Sequence, residues 1–471
     1  MNFIKRLLPN CAAHPGGLIL GQYGPGWLLR CRLPLDQFDT HMYVVGKTKK
    51  GKSKYLEHLA YQLISQNQGC AVIDPHADLA DDLVAHLAPM LDQTNLKERI
   101  IYFDPSRKDW LLPFNVLSSP LEPYTIAQNV LEAFRRTWPE SLREAPRFAN
   151  IILAATLVLI ANKLTLVEMP RLLTDPYYRN SLLQHTTNAE AVRFFRTRYD
   201  RWGREQAIIA ESVLNKVGAL TVNPTLRLIL GQQSNALLFR RIMDEGKVLI
   251  CNLGRTDGES RRLLGSLIVT GLEQAALSRT NVQSPARRPF YLIMDEFQDY
   301  VAHEGSEQTF SQILSECRKF GLRLVMAHQH LGQLGSTLQG ALENAQLRVV
   351  FGVGRQTARV LVEEVFQPEI KATSPKERES LAEQWERFTQ QAQRLGHREM
   401  LVQLPDREGV RRLRTCNVPS TKLDATQLEI VRQNLARESG KTVAAMRKAQ
   451  SKRERNTQVK EYEIIRRGMH E

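Results

Sequence analysis

Apolar and polar positions along the chain follow two rhythms. At residues 42–45, 70–73, 100–103, 248–253, 291–294, 322–327, 348–351 and 400–403 the apolar residues come in short runs, with at most one polar residue in each. Runs of that length read as strands buried on both faces. After the first run, residues 53–65 carry Leu56, Leu59 and Leu63 at helical spacing. Strands alternating with helices predict an α/β fold, a parallel sheet covered on both faces. Residues 17–20 and 27–33 are two further strand-like runs around a Gly/Pro turn. Between 117 and 237 the strand-like runs stop. Ile126, Val130 and Phe134, then Ile208, Val213 and Val217, recur about every four residues, which predicts an inserted all-α domain. The longest apolar run, near 151–161, falls short of the roughly 20 residues a membrane helix needs and reads as a buried core helix. From about 421 the chain is polar, helical in pattern and rich in Lys and Arg, suiting a solvated helix, a flexible tail or a nucleic-acid contact. The expected organisation is a small β region at 1–40, a core in two parts at 41–116 and 238–420, the all-α insertion at 117–237, and a basic tail at 421–471.

Composition narrows the class. With 471 residues and 42% hydrophobic content, the chain can bury a sizeable core and supports two or three domains. The net charge of +14 attracts polyanions, of which nucleic acid is the commonest large one; the alternative is a basic protein without such a partner. The 6 cysteines, Cys11 among them, include no C-x-x-C pair, which argues against a disulfide framework or structural zinc and for a reducing cytosol. The amino terminus starts basic but lacks an apolar core of signal-peptide length. The expected location is therefore cytoplasmic, with any recruitment to the inner membrane coming through partners.

One segment carries specific chemistry. Gly46, Lys47, Thr48, Lys49, Lys50, Gly51, Lys52 and Ser53 match G-x-x-x-x-G-K-[ST] between a strand and a helix. Glycines let the loop wrap so that backbone N–H groups face phosphate oxygens, and the helix amino terminus adds a favourable dipole. Lys52 reaches the β- and γ-phosphates of ATP, and the Ser53 hydroxyl joins the Mg²⁺ shell. Lys47, Lys49 and Lys50 add charge that either helps hold phosphates or is solvated, the second being favoured.

A second signal is independent of the first. The strand at 291–294 runs into Asp295 and Glu296. A carboxylate at such a strand end suits Mg²⁺, and a following Glu can polarise an attacking water. Gln329 follows the strand at 322–327, where its amide can bond both the γ-phosphate and that water. Arg318 and Lys319 precede Gly321, a helix end that favours cations whatever their function. Arg318 is also a candidate finger for a neighbouring subunit's ATP.

With these residues placed, the chain resembles the HerA/FtsK group of ring ATPases, most closely the TraD/TraG-like coupling-protein ATPases of type IV secretion and conjugation. The resemblance rests on the P-loop, CAVIDPHADLADDL at 70–83, Phe114-Asn115, DEGKVLICNLGR at 244–255, IMDEFQDY at 293–300, SECRKFGLRLVMAHQHLGQL at 315–334, and Asn344 followed by LRVVFGVG. It implies a RecA-like core in a hexamer around DNA, with ATP between subunits and Arg318 acting in trans. The implied activity is ATP hydrolysis that moves DNA, with a secretion, relaxase or nuclease partner. A motor of the same fold with a protein load or a nuclease partner is the alternative, and an ATP-gated scaffold a third reading. Residues 252–262, with Arg255, Arg261 and Arg262, are a candidate pore-side loop. Two positions depart from the family pattern: Lys50 stands where relatives usually have a small residue, and Ala77 where they often have glycine. The amino-terminal membrane helices usual in coupling proteins are not found in this sequence.

Overall fold

A computed structural model describes residues 17–91, 95–142, 145–301, 314, 316–365, 380–405, 409–418 and 423–468. Cys11 and residues 1–16 of the expected β region lie outside them, as do 421–422 and 469–471 of the tail. In chain order the strands are β1 (Leu18–Tyr23), β2 (Leu29–Leu33), β3 (Met42–Val45), β4 (Gly69–Asp74), β5 (Ile100–Phe103), β6 (Trp110–Leu111), β7 (Val248–Asn252), β8 (Phe290–Met294), β9 (Leu322–His328), β10 (Leu347–Phe351), β11 (Glu399–Gln403), β12 (Arg411–Arg414) and β13 (Lys441–Thr442). All but β6 and β13 join one eleven-stranded sheet, in the order β2-β1-β12-β11-β10-β3-β9-β8-β4-β7-β5.

The centre of this sheet is parallel. β3 lies between β10 and β9, β9 pairs with β8 and β8 with β4, all in parallel register. These strands are the short apolar runs of the sequence, and every residue of β3, β4, β8, β9 and β10 is buried, Arg323 and Arg348 included. On the other side the strands run antiparallel, at β10–β11, β11–β12, β12–β1 and β1–β2. Short connections account for two of these pairs, β1–β2 and β11–β12, which are hairpin neighbours, whereas β10–β11 and β12–β1 bring together strands far apart in the chain. The described part of the 1–40 region is thus not separate: β1 joins the main sheet through Gln22 opposite Arg414.

The chain divides into two compact units, the first drawing on the chain up to Ile100, on Met243–Cys251 and on Arg279–Leu428. This unit holds the parallel strands and the helix Lys52–Ser65, whose Leu56, Leu59 and Leu63 are buried.

The second unit comprises Ile101–Ile242, Asn252–Ser278 and the chain from Glu429 onward. It is mainly helical. The helix Gly258–Leu277, within the stretch expected to belong to the core, packs in this unit against the helix Pro123–Thr137. A buried ion pair joins them: Arg136 Nη2 donates to Glu273 Oε2 at 3.0 Å, and Glu132 bonds the same guanidinium. The tail is helical over Ala425–Ser439 and Val443–Gly468. It is tied down by the β6–β13 pair, by a hydrogen bond from Gln232 Nε2 to Met446 O, and by Arg453 bonding Glu168 and Gly231 O. Among the described residues no single helix is long and apolar enough to cross a membrane.

Candidate nucleotide site

The register of three neighbouring strands assembles the site. β3 and β9 pair with Val45 opposite His328, and β9 and β8 pair with Met326 opposite Met294. Gly46, Gln329 and Asp295, each the residue after its strand, therefore emerge at the same end of the sheet, the carboxyl end where open α/β sheets bind ligands. A cleft of about 860 Å³ opens there, lined by Lys47 to Lys49, Gly51 to Lys54, Asp295, Glu296 and Gln329 among others.

The loop is held from beneath. Gly46 N donates to His328 O at 3.3 Å and Lys47 N to Gly352 O at 3.0 Å. A Cβ on Gly46 would stand 2.5 Å from the Phe351 Cβ, so only glycine fits against β10. Gly51 caps the following helix with φ 109°, a conformation that favours glycine. Lys49 also has a positive φ, 61°. Lys50 departs from the expectation of a solvated side chain: its Nζ donates to Leu395 O at 3.0 Å.

Lys52 Nζ donates to Gly46 O at 2.9 Å and His328 O at 3.1 Å, and lies 3.9 Å from Glu296 Oε1. Burial lowers its pKa, while Glu296 and Asp295 oppose that shift. Ser53 Oγ donates to Asp295 Oδ2 at 2.9 Å. Burial pushes the Asp295 carboxyl up despite Lys52, and Glu296 pushes it further. Asp74, at the end of β4, is also raised, first by burial and also by Asp295. Ser53 and Asp295 are hard oxygen donors of the kind Mg²⁺ takes, and a carboxylate destabilised by burial fits a site completed by a cation.

Glu296 adopts φ 48°, sparsely populated for a residue with a Cβ and typical of functional sites. Gln329 Nε2 donates to Glu296 Oε1 at 2.7 Å, and Thr48 Oγ1 donates to Gln329 Oε1 at 3.5 Å. Carboxylate and amide thus meet over the first half of the loop. Arg318 lies elsewhere, in a cleft with Asp39, Arg287, Lys319 and Arg323, its Nε 3.9 Å from Asp39 Oδ2. Its helix is a single 3₁₀ turn, Cys317–Phe320, closed by Gly321 at φ 80°. In the second unit, exposed Arg255 lies 3.7 Å from Asp104 Oδ2, and Arg262 is exposed.

Several cleft residues have no site role assigned from the sequence, three of them within the 70–83 segment. Asp74, His76, Asp78 and His397 line the same space. Asp74 was within reach, as an acid ending a buried strand; His397 has no sequence signal.

No family model and no curated protein matches the chain. Solved structures do. Plasmid coupling protein TrwB in complex with the non-hydrolysable ATP analogue ADPNP is 16% identical with a TM-score of 0.60, over 90% of this chain and 94% of that one. TrwB in complex with ADP and Mg²⁺ is 17% identical with a TM-score of 0.58, over 90% and 93%. VirB4 of Thermoanaerobacter pseudethanolicus is 12% identical with a TM-score of 0.54, over 87% and 98%. The chain therefore has the RecA-like α/β fold of the conjugative coupling protein TrwB and of VirB4.

Proposed function

We propose that this chain hydrolyses ATP and couples the hydrolysis to movement of DNA, working as a ring of six in conjugation or type IV secretion. The observation that carries the hydrolysis is the meeting of Lys52, Ser53, Asp295, Glu296 and Gln329 around one cleft. TrwB has been solved with ADPNP and with ADP and Mg²⁺, which supports the same ligands here.

Backbone N–H groups of residues 46–53 cradle the phosphates, and Lys52 exchanges its two carbonyl partners for β- and γ-phosphate oxygens. Ser53 and Asp295 would hold Mg²⁺, which when bound would supply charge neutralisation to the phosphate oxygens. Glu296 accepts a hydrogen bond from the attacking water, and Gln329, already bonded to that carboxylate, orients water and γ-phosphate together. Arg318 completes the site of the adjacent subunit in the ring. The surplus charge of +14 supports DNA as the load, with the exposed arginines of residues 252–262 as non-specific phosphate contacts. The protein works at the cytoplasmic side, brought to the membrane by a secretion or relaxase partner.

The test is ATP turnover with and without DNA. DNA is expected to stimulate it. Lys52→Ala abolishes nucleotide binding, whereas Glu296→Gln still binds ATP but turns over about 10²–10⁴-fold more slowly. Particle mass with ATP and DNA is expected to correspond to six subunits. Turnover indifferent to DNA would remove the DNA load and leave a motor for protein or for a nuclease partner.

A further inference from the structure

One wall of the nucleotide cleft comes from a turn that no motif marks. Residues 396–399 close a four-residue turn before β11: Glu399 N donates to Gly396 O at 3.3 Å, and Gly396 N donates to Glu399 Oε2 at 2.9 Å. His397 and Arg398 are its two central residues. Arg398 has φ 67°, and the second central position of a turn with positive φ is ordinarily glycine.

Every other polar group of Arg398 is used to hold that conformation. Its Nε donates to Thr415 Oγ1 at 3.1 Å, its Nη2 to Thr415 O at 2.8 Å, and its Nη1 to Asn417 Oδ1. Its carbonyl accepts from Thr415 N at 2.8 Å, and its own N donates to Lys50 O at 3.1 Å. Lys50 Nζ returns a bond to Leu395 O at 3.0 Å. A strained residue tied down this completely marks a place where the chain must hold one shape.

None of these bonds uses the His397 side chain, which is exposed and lines the cleft with Lys52 and Ser53. The position along the loop is informative. Thr48 reaches Gln329, so the first half of the loop faces the reacting γ-phosphate. The turn braces the second half, with Arg398 Cα 3.6 Å from where a Cβ on Gly51 would stand. A phosphate chain running from the first half past the second delivers its nucleoside to this turn.

We propose that His397 is a nucleoside contact of the ATP site, its imidazole stacking on the base, and that Arg398 is the positioning residue that holds it there. The proposal rests on the ATPase reading above. An imidazole face suits any purine ring, so the contact adds affinity for a nucleotide over a bare phosphate chain.

The experiment compares Mg-ATP with Mg-tripolyphosphate by calorimetry on the full chain. His397→Ala is expected to weaken ATP binding about 10-fold and leave tripolyphosphate within about 2-fold of wild type. His397→Phe, which keeps a stacking face, retains ATP affinity. Arg398→Gly, which accepts the φ but loses the anchors, behaves as His397→Ala and again spares tripolyphosphate. Unchanged ATP affinity in His397→Ala, or equal loss of both ligands, overturns the proposal alone. Wild-type protein that binds neither ligand overturns the nucleotide reading and this proposal with it.

Discussion

At the scale of single residues, Ala77 shows what one methyl group can cost. It follows β4 with φ 75°, where Asp74 accepts bonds from His76 N and Ala80 N at 2.8 Å each. The left-handed region costs a residue with a Cβ roughly 1–2 kcal/mol, and nothing like the ties on Arg398 offsets it. Ala77→Gly is therefore expected to stabilise the protein by up to about 1 kcal/mol, after the extra freedom glycine has in the unfolded chain, read as a higher urea midpoint. His41 gives a pH dependence. Its Nε2 donates to Leu314 O at 2.8 Å and its Nδ1 accepts from Leu324 N at 2.9 Å, a pattern that needs the neutral ring. Burial lowers its pKa from 6.5 to about 4, with Arg318 and Arg323 adding to the shift and Asp39 opposing it. Above 6.5 neither folded nor unfolded chain holds this proton. As pH falls from 6.5 to 4 the unfolded chain takes it first, and about 3 kcal/mol of stability is lost. His41→Gln is expected to flatten the urea midpoint across that window. The P-loop residues were legible because their pattern is contiguous. The Lys50–Leu395 and Gln329–Glu296 bonds were not, since partners 345 and 33 residues apart leave no spacing to read.

At the scale of elements, the site is a consequence of strand register. Gly46, Asp295 and Gln329 converge because β3, β8 and β9 are parallel neighbours whose pairings end together. Gly46 also sets how closely the loop approaches β10. Gly46→Ala drives a Cβ into Phe351 and displaces the loop that aligns the backbone N–H groups, so nucleotide affinity is expected to fall at least tenfold in a protein that still folds, seen by titration and circular dichroism. The buried strands were legible, since short, mostly apolar runs of that length have few other uses. The antiparallel wing was less so. β12 reads RRLR, with only Leu413 buried, and outside this sheet β6 and β13 have two residues each, too short to show any period. Their places come from pairing partners supplied elsewhere in the chain.

At the scale of the whole molecule, the helical unit gathers three stretches of chain, and a charge pair joins two of them. Arg136 and Glu273 are almost fully buried and bonded through both guanidinium Nη atoms. Breaking such a pair leaves an uncompensated charge, so Arg136→Met alone is expected to cost about 3–5 kcal/mol, whereas Arg136→Met with Glu273→Leu returns to near wild-type stability or above. Thermal melts of the two variants make the comparison. The helical character of 117–237 was legible from its period, but the membership of Gly258–Leu277 was not, because burial on several sides looks alike whichever neighbours provide it.

The docking of the tail has a consequence for how the protein is made. Met446 is fully buried, and its carbonyl accepts from Gln232, more than two hundred residues upstream. Every strand of the parallel centre has left the ribosome by Phe351, but the helical unit lacks its closing piece until the segment from Glu429 onward, with Met446, emerges. A ribosome that stalls after Leu428 therefore holds a chain whose eleven-stranded sheet is complete and whose helical unit still lacks the segment that packs on it, so limited proteolysis of a chain cut there is expected to fall first in the helical unit.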